Sequence, residues 1–471
     1  MAARTTLNAK NLEALGAPRL AELLIEVVQG NASAKRLLRL ALAQQSGPAE
    51  IAREVRKRLA TLARAGSFLD SRQRKALLKD LEQQRQAISG PIAEQDPALA
   101  VELLWTFLEL VEPVIERCDD SDGAVMPLFH QATEDLGVVA ARCAVKPEAL
   151  ADQVYAALMD NGYGQFDHLI EQLAGALGEA GLAHLRQRLE TLRARRASGA
   201  AHESRASIVR LAMLDIADAC GDAQAYLAEY QGHDPKLLAL PAIAAEVAER
   251  LTTVGRAQEA LDLLDSAVLD ERRTAGRSEW LEARLAALEA LDRGQEAQAL
   301  RWAELERSLS IRHLRDYLRR LPDFEEVEAE ERALDLGFDH PSFPLALQFL
   351  HQWPDRRRAA RLILARQSEL DGDAYELLGP VAERLEREQP LAATLCLRAM
   401  IDFSLAQARS TRYRHAARHL DTCAALAAAI EDWGDIEPHD SYLARLRRDH
   451  GRTYGFWELT ASRASPSLMI R

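Results

Sequence analysis

The stretch AAEVAERLTTVGRAQEALDLLDSA, Ala244 to Ala267, decides the fold. Small and apolar residues fall at Ala244, Val247, Ala248 and Leu251 before Gly255, and at Ala260, Leu264 and Ala267 after it. Steps of three and four residues mark the buried face of a helix, so the stretch predicts two helices joined by a turn. Alanine at the contact lets the helices approach closely, and a glycine ending the first helix in a left-handed conformation supplies the turn.

This pattern resembles the tetratricopeptide repeat, stripped of most of its aromatic positions. A second copy is read at Ala283, Ala286, Ala287, Ala290, Gly294, Ala299 and Ala303. Gly255 and Gly294 are 39 residues apart, against a period of about 34 for that repeat. A weaker copy places Phe403, Ala416, Leu420 and Cys423 on comparable positions, with Tyr413 entering the second helix. Strand patterning never replaces the helical period, and the expected fold is all-α: an α-solenoid of TPR-like or HEAT-like hairpins with no sheet.

Composition agrees. Hydrophobic residues make up 48% of the 471 but aromatics only 5%, so apolar content is mainly Ala and Leu, which suits packed helices better than sandwiches or barrels. A chain of this length fits a solenoid, in which each hairpin buries its face on its neighbours. No run approaches the roughly 18 apolar residues of a membrane span, and MAARTTLNAKNLEAL lacks the apolar core of a signal peptide. A cytoplasmic protein is expected. Cys118, Cys143, Cys220, Cys396 and Cys423 are scattered and odd in number, which predicts buried thiols and no structural disulfide.

The net charge of −13 conceals an asymmetry. Residues 1–90 hold sixteen Lys and Arg against eight Asp and Glu, leaving −21 on the remainder, and acid is densest from Asp323 to Glu331. The first segment reads as short helices opened by Pro18 and Pro48 and closed by Gly30 and Gly66. Leu20, Leu23, Leu24 and Val27 form one apolar stripe; Ile51, Val55, Leu59 and Leu62 form another, and each calls for a partner helix. The least hydrophobic break, Arg193 to Glu203, places a domain boundary at about residue 200: an N-terminal helical domain over 1–200 and a repeat domain over 201–471. HPSFP at His340 to Pro344 interrupts the second, which ends with a helix through Leu443, Leu446 and Trp457.

Several segments carry a whole-chain resemblance: NLEALGAPRLAELL near the start, DDSDG, NGYGQFD at Asn161 to Asp167, and RYRHAARHL with RRDHGRTYGFWEL near the end. They resemble an uncharacterised bacterial family of helical-repeat proteins. The C-terminal half is also similar to the helical region that accompanies SWIM zinc fingers, without the Cys-x-Cys element of that finger. The resemblance implies an α-solenoid and no established activity.

Catalytic and metal patterns fail on their spacing. His415, His419 and Cys423 are four apart on one predicted helix, but Ala416 stands where a zinc protease needs Glu. Asp119, Asp120 and Asp122 beside Gly123 suggest calcium, yet Phe129 falls where an EF-hand needs its bidentate acid; a solvated loop capping the next helix is the better account. The turn Asn161-Gly162-Tyr163-Gly164 has no preceding strand and no Lys-Ser or Lys-Thr after it, so it is no phosphate loop. No GxSxG, P-loop or HExxH occurs. No enzyme, metal or cofactor is expected.

Two groups remain as partner-binding candidates. Arg53, Arg56, Lys57 and Arg64, reinforced by Arg58, Arg72, Arg74, Lys75 and Lys79, form a basic surface that attracts phosphates or an acidic neighbour. Tyr163, Gln165, Asp167 and His168 sit in a loop, where function concentrates. The expected role is a scaffold that binds a protein or peptide in the solenoid groove. Nucleic-acid association through the basic N-terminal helices is the alternative, weakened by the scarcity of aromatics for base stacking.

Overall fold

A computed structural model describes residues 6–194, 200–269 and 275–463. The described residues are helical throughout and hold no strand; their one β-bridge joins Leu69 to Cys118. Two compact units divide the chain, residues 1–287 and 288–471. Of the break expected over Arg193 to Glu203, residues 195–199 lie outside the described residues, and the helix Ala200–Ala219 begins directly after them.

In the first unit, proline at the first turn opens Pro48–Ala63, Pro97–Leu108, Pro147–Met159 and Pro241–Thr253, since its fixed φ suits the helix and its missing N–H costs nothing there. A reciprocal Asp70–Gln73 capping box starts Ser71–Ala87. Ile51, Val55, Leu59 and Leu62 are fully buried as their stripe requires. The Leu20 stripe differs: no residue of Ala17–Val27 is buried, and Leu24 and Val27 are exposed. Its period is that of a buried face, but among the described residues Leu20 and Leu23 are only half-buried.

The deciding hairpin forms as its spacing dictates. Pro241–Thr253 packs on Ala257–Asp265, Ala244, Val247, Ala248, Leu251, Ala260 and Leu264 are buried, and Gly255 turns at φ +79. The second copy is corrected. Gly294 opens the helix Gly294–Ser308 instead of closing one, and Asp292 takes the left-handed turn at φ 56. The frame therefore shifts: Ala297, Arg301, Glu304 and Leu305 are buried, while Ala286, Ala290, Ala299 and Ala303 face outward.

The second unit has a tighter recurrence. Helices Ile311–Leu318, Phe343–Gln352 and Tyr375–Leu385 begin 32 residues apart. Leu314, Ala346 and Leu378 are buried at the same register, as are Leu318, Leu350 and Ala382. Between them run Asp323–Asp339 and Arg356–Ala365, and Pro390–Ala406 follows. His340 to Pro344 is the corner between Asp323–Asp339 and Phe343–Gln352. Gly337 lets those two helices meet, because a Cβ there would lie 2.4 Å from the Phe349 ring. The expected last helix is two, His439–His450 and Tyr454–Arg463.

Candidate functional site

The basic N-terminal surface is largely spoken for by carboxylates of the same unit. Arg53 pairs with Glu50 at 2.5 Å and Arg56 with Glu102 at 2.9 Å. Arg58 and Arg36 converge on Asp80, at 2.5 and 3.3 Å, and that carboxylate is buried. Arg74 is buried too, contrary to its reading as surface charge. It donates to the Asp119 carbonyl and to Asp122 at 2.5 Å, which raises its own pKa and lowers that of Asp122. The DDSDG loop is thus held by a guanidinium where a cation reading would place an ion; Asp120 accepts the Val125 N–H at the start of Met126–Ala140. Lys57 and Arg64 are exposed, as are Arg72, Lys75 and Lys79.

The loop candidates divide. Asn161 donates to Asp167 at 2.7 Å and accepts the Phe166 N–H at 2.9 Å. Gln165 is buried and donates to the Asp160 carbonyl, while Phe166 packs on Trp105. Gln165 and Asp167 therefore hold the turn. Tyr163, Asp167 and His168 are exposed, with His168 3.6 Å from Glu171. Beside them, burial pushes Asp215 up to about 6, with Asp218 adding to the effect.

The histidine helix is no ligand array. Arg418 reaches the Nδ1 of exposed His415 at 2.5 Å. Burial lowers His419 to about 4, helped by His415 and Arg418, and raises the fully buried Cys423 thiol to about 12. Among the described residues no three His, Cys, Asp or Glu side chains gather as a metal would require.

Sequence reasoning missed a groove in the second unit. Ile311–Leu318 buries Ile311, Leu314 and Leu318, which turns Arg312, Arg315 and Arg319 to its other side. Together with His351, Gln352 and Arg384, from the next two helices of the 32-residue recurrence, these arginines line an open cavity of about 870 Å³. Arg384 is anchored by donating to the His351 carbonyl at 2.9 Å, Arg315 lies 5.8 Å from the Trp353 ring centre, and Arg319 pairs with Asp316 at 2.5 Å. Burial first, and Arg384 second, lower the pKa of His351, which leaves it neutral near pH 7. Four guanidiniums and one carboxylate, that of Asp316, thus line the cavity. The signal available in sequence was Arg at i, i+3 and i+7 opposite Ile311, Leu314 and Leu318.

A neighbouring cleft of about 640 Å³ takes in Ala299 and Ala303, and its wall holds an aromatic stack: Arg332 lies 3.8 Å above Trp302, itself 5.2 Å from Tyr317. Arg398 was also unforeseen. It is buried between Trp433 and Tyr442, 4.9 and 4.3 Å from their centres, and donates to the Glu437 carbonyl at 2.6 Å.

The fold and groove define an all-α protein of helical hairpins bearing an arginine-lined cleft. The model of the Family of unknown function (DUF6880) matches residues 2–459, and the chain belongs to that family. No curated protein matches it.

Proposed function

We propose that this chain is a non-enzymatic interaction scaffold whose second unit stacks its hairpins as an α-solenoid and receives a protein or peptide segment along the groove. The observation that supports this is the groove itself. Three helices at one register leave an open concave surface, and concave surfaces are where ligands bind. A cytoplasmic setting belongs to the same proposal. The second reading, nucleic-acid association through the N-terminal helices, rests on the exposed Lys57, Arg64, Arg72, Lys75 and Lys79.

The test is a photo-crosslinking residue placed at Gln352 or at Lys57 of the full-length chain in cells. A protein adduct from position 352 is expected. A nuclease-sensitive adduct confined to position 57 would transfer the function to the basic helices, and silence at 352 would remove the groove from consideration.

A further inference from the structure

Taking that groove as the binding site, we propose that its ligand is an acidic peptide segment presenting two or more carboxylates three residues apart. Arg312, Arg315 and Arg319 follow one another along a helix that rises about 1.5 Å per residue, so the first and last are separated by about 10 Å along its axis. A segment in the polyproline II conformation advances about 3.1 Å per residue with three residues per turn, which brings carboxylates three positions apart to one side at nearly the same spacing. Arg384 adds a guanidinium from the third helix. The planar guanidinium fork matches a carboxylate in bidentate fashion, and such charge-assisted bonds are about twice as strong as neutral ones. Residues 288–471 use no lysine at all: their basic side chains are 26 arginines. A cleft with low-dielectric walls also focuses the field of its charges, which a convex surface does not.

Charge balance selects a short segment over a long polyanion. The same residues carry 31 Asp and Glu against those 26 Arg, and Asp323, Glu325, Glu326 and Glu328 are exposed on the helix that follows Ile311–Leu318. That acid repels a long polyanion more than it repels a peptide of a few residues. The groove lining contains no Phe, Tyr or Trp, so bases lack the large aromatic faces on which they stack best.

The experiment is fluorescence anisotropy on the full-length protein with three labelled probes: a nonapeptide with Glu at every third position, its Gln counterpart, and a single-stranded 20-nucleotide DNA. The Glu peptide should bind and the Gln peptide should not. Arg315→Glu with Arg384→Glu should weaken the Glu peptide at least tenfold, and Lys57→Glu with Arg64→Glu should leave it unchanged. Equal binding of both peptides, lost on Arg315→Glu with Arg384→Glu, would overturn the acidic assignment while keeping the groove. Failure of both peptides together with no crosslink from position 352 would overturn both. DNA binding lost on the same groove substitutions would replace the peptide by a nucleic acid. Circular dichroism of each variant separates loss of binding from loss of fold.

Discussion

In the first unit the guanidinium of Arg58 closes on buried Asp80, and that of Arg74 on the DDSDG loop; in the second unit Arg315 and Arg384 line an open cavity. Both sets lie on helices that also carry a buried apolar face. The difference lies in what faces them: in one case carboxylates of the same unit, Asp80 among them buried, in the other an open cavity lined from three helices. A run of basic residues in sequence therefore reports charge density, and only packing decides whether the charge is structural or available.

The sharpest break between the two regions comes from removing one partner from each. Asp80→Ala leaves Arg36 and Arg58 facing a buried vacancy and should cost about 3 to 5 kcal/mol. Arg315→Ala, at an exposed position, should stay within about 0.5 kcal/mol. Urea unfolding of the two variants measures this, and equal losses would erase the distinction between structural and available arginine.

A smaller effect separates the two hairpins that looked equivalent. Ala260→Trp overpacks a fully buried contact and should cost about 1 to 3 kcal/mol or more. Ala299→Trp, on the outward face, should cost under about 0.5 kcal/mol. A large loss at Ala299 would restore the register that places Gly294 in the turn.

Smaller again is the response to pH, which should have opposite signs in the two units. Asp215 is raised to about 6 by burial and then by Asp218. Its folded pKa exceeds the unfolded one, so its favourable contribution is complete at low pH and fades as pH rises through 6. His419 is lowered to about 4 by burial and then by His415 and Arg418. Its contribution is complete above the ordinary histidine range and fades as pH falls toward 4. Each is worth about 1 to 2 kcal/mol after allowance for solvent screening. Between pH 7 and 5, hydrogen exchange should show residues around Asp215 gaining protection and residues around His419 losing it; Asp215→Asn and His419→Gln should flatten the two trends separately.

The all-helical fold was legible because Ala and Leu at steps of three and four leave no other period. Gly255 was read correctly, since a glycine between two apolar faces there does take positive φ. Gly294 misled because Asp292 can adopt the left-handed conformation itself, which released the glycine to begin a helix and turned Ala299 outward. The Leu20 stripe has a helical period, but periodicity names a face without naming its cover. Tyr163, Gln165, Asp167 and His168 were gathered by adjacency in sequence, yet hydrogen bonding assigns Gln165 and Asp167 to the turn. The groove was hidden for the opposite reason: Arg315, His351 and Arg384 are far apart in the chain, and their convergence depends on a 32-residue recurrence carried by Leu314, Ala346 and Leu378, which share register and burial but neither size nor motif.

The most direct measurement is hydrogen–deuterium exchange of the full-length protein with and without the Glu nonapeptide. Slowed exchange should be confined to Ile311–Leu318 and the ends of Phe343–Gln352 and Tyr375–Leu385, and should disappear in Arg315→Glu with Arg384→Glu. Protection centred on Pro48–Ala63 and Ser71–Ala87, or none in the groove helices, would contradict the assignment of binding to the second unit.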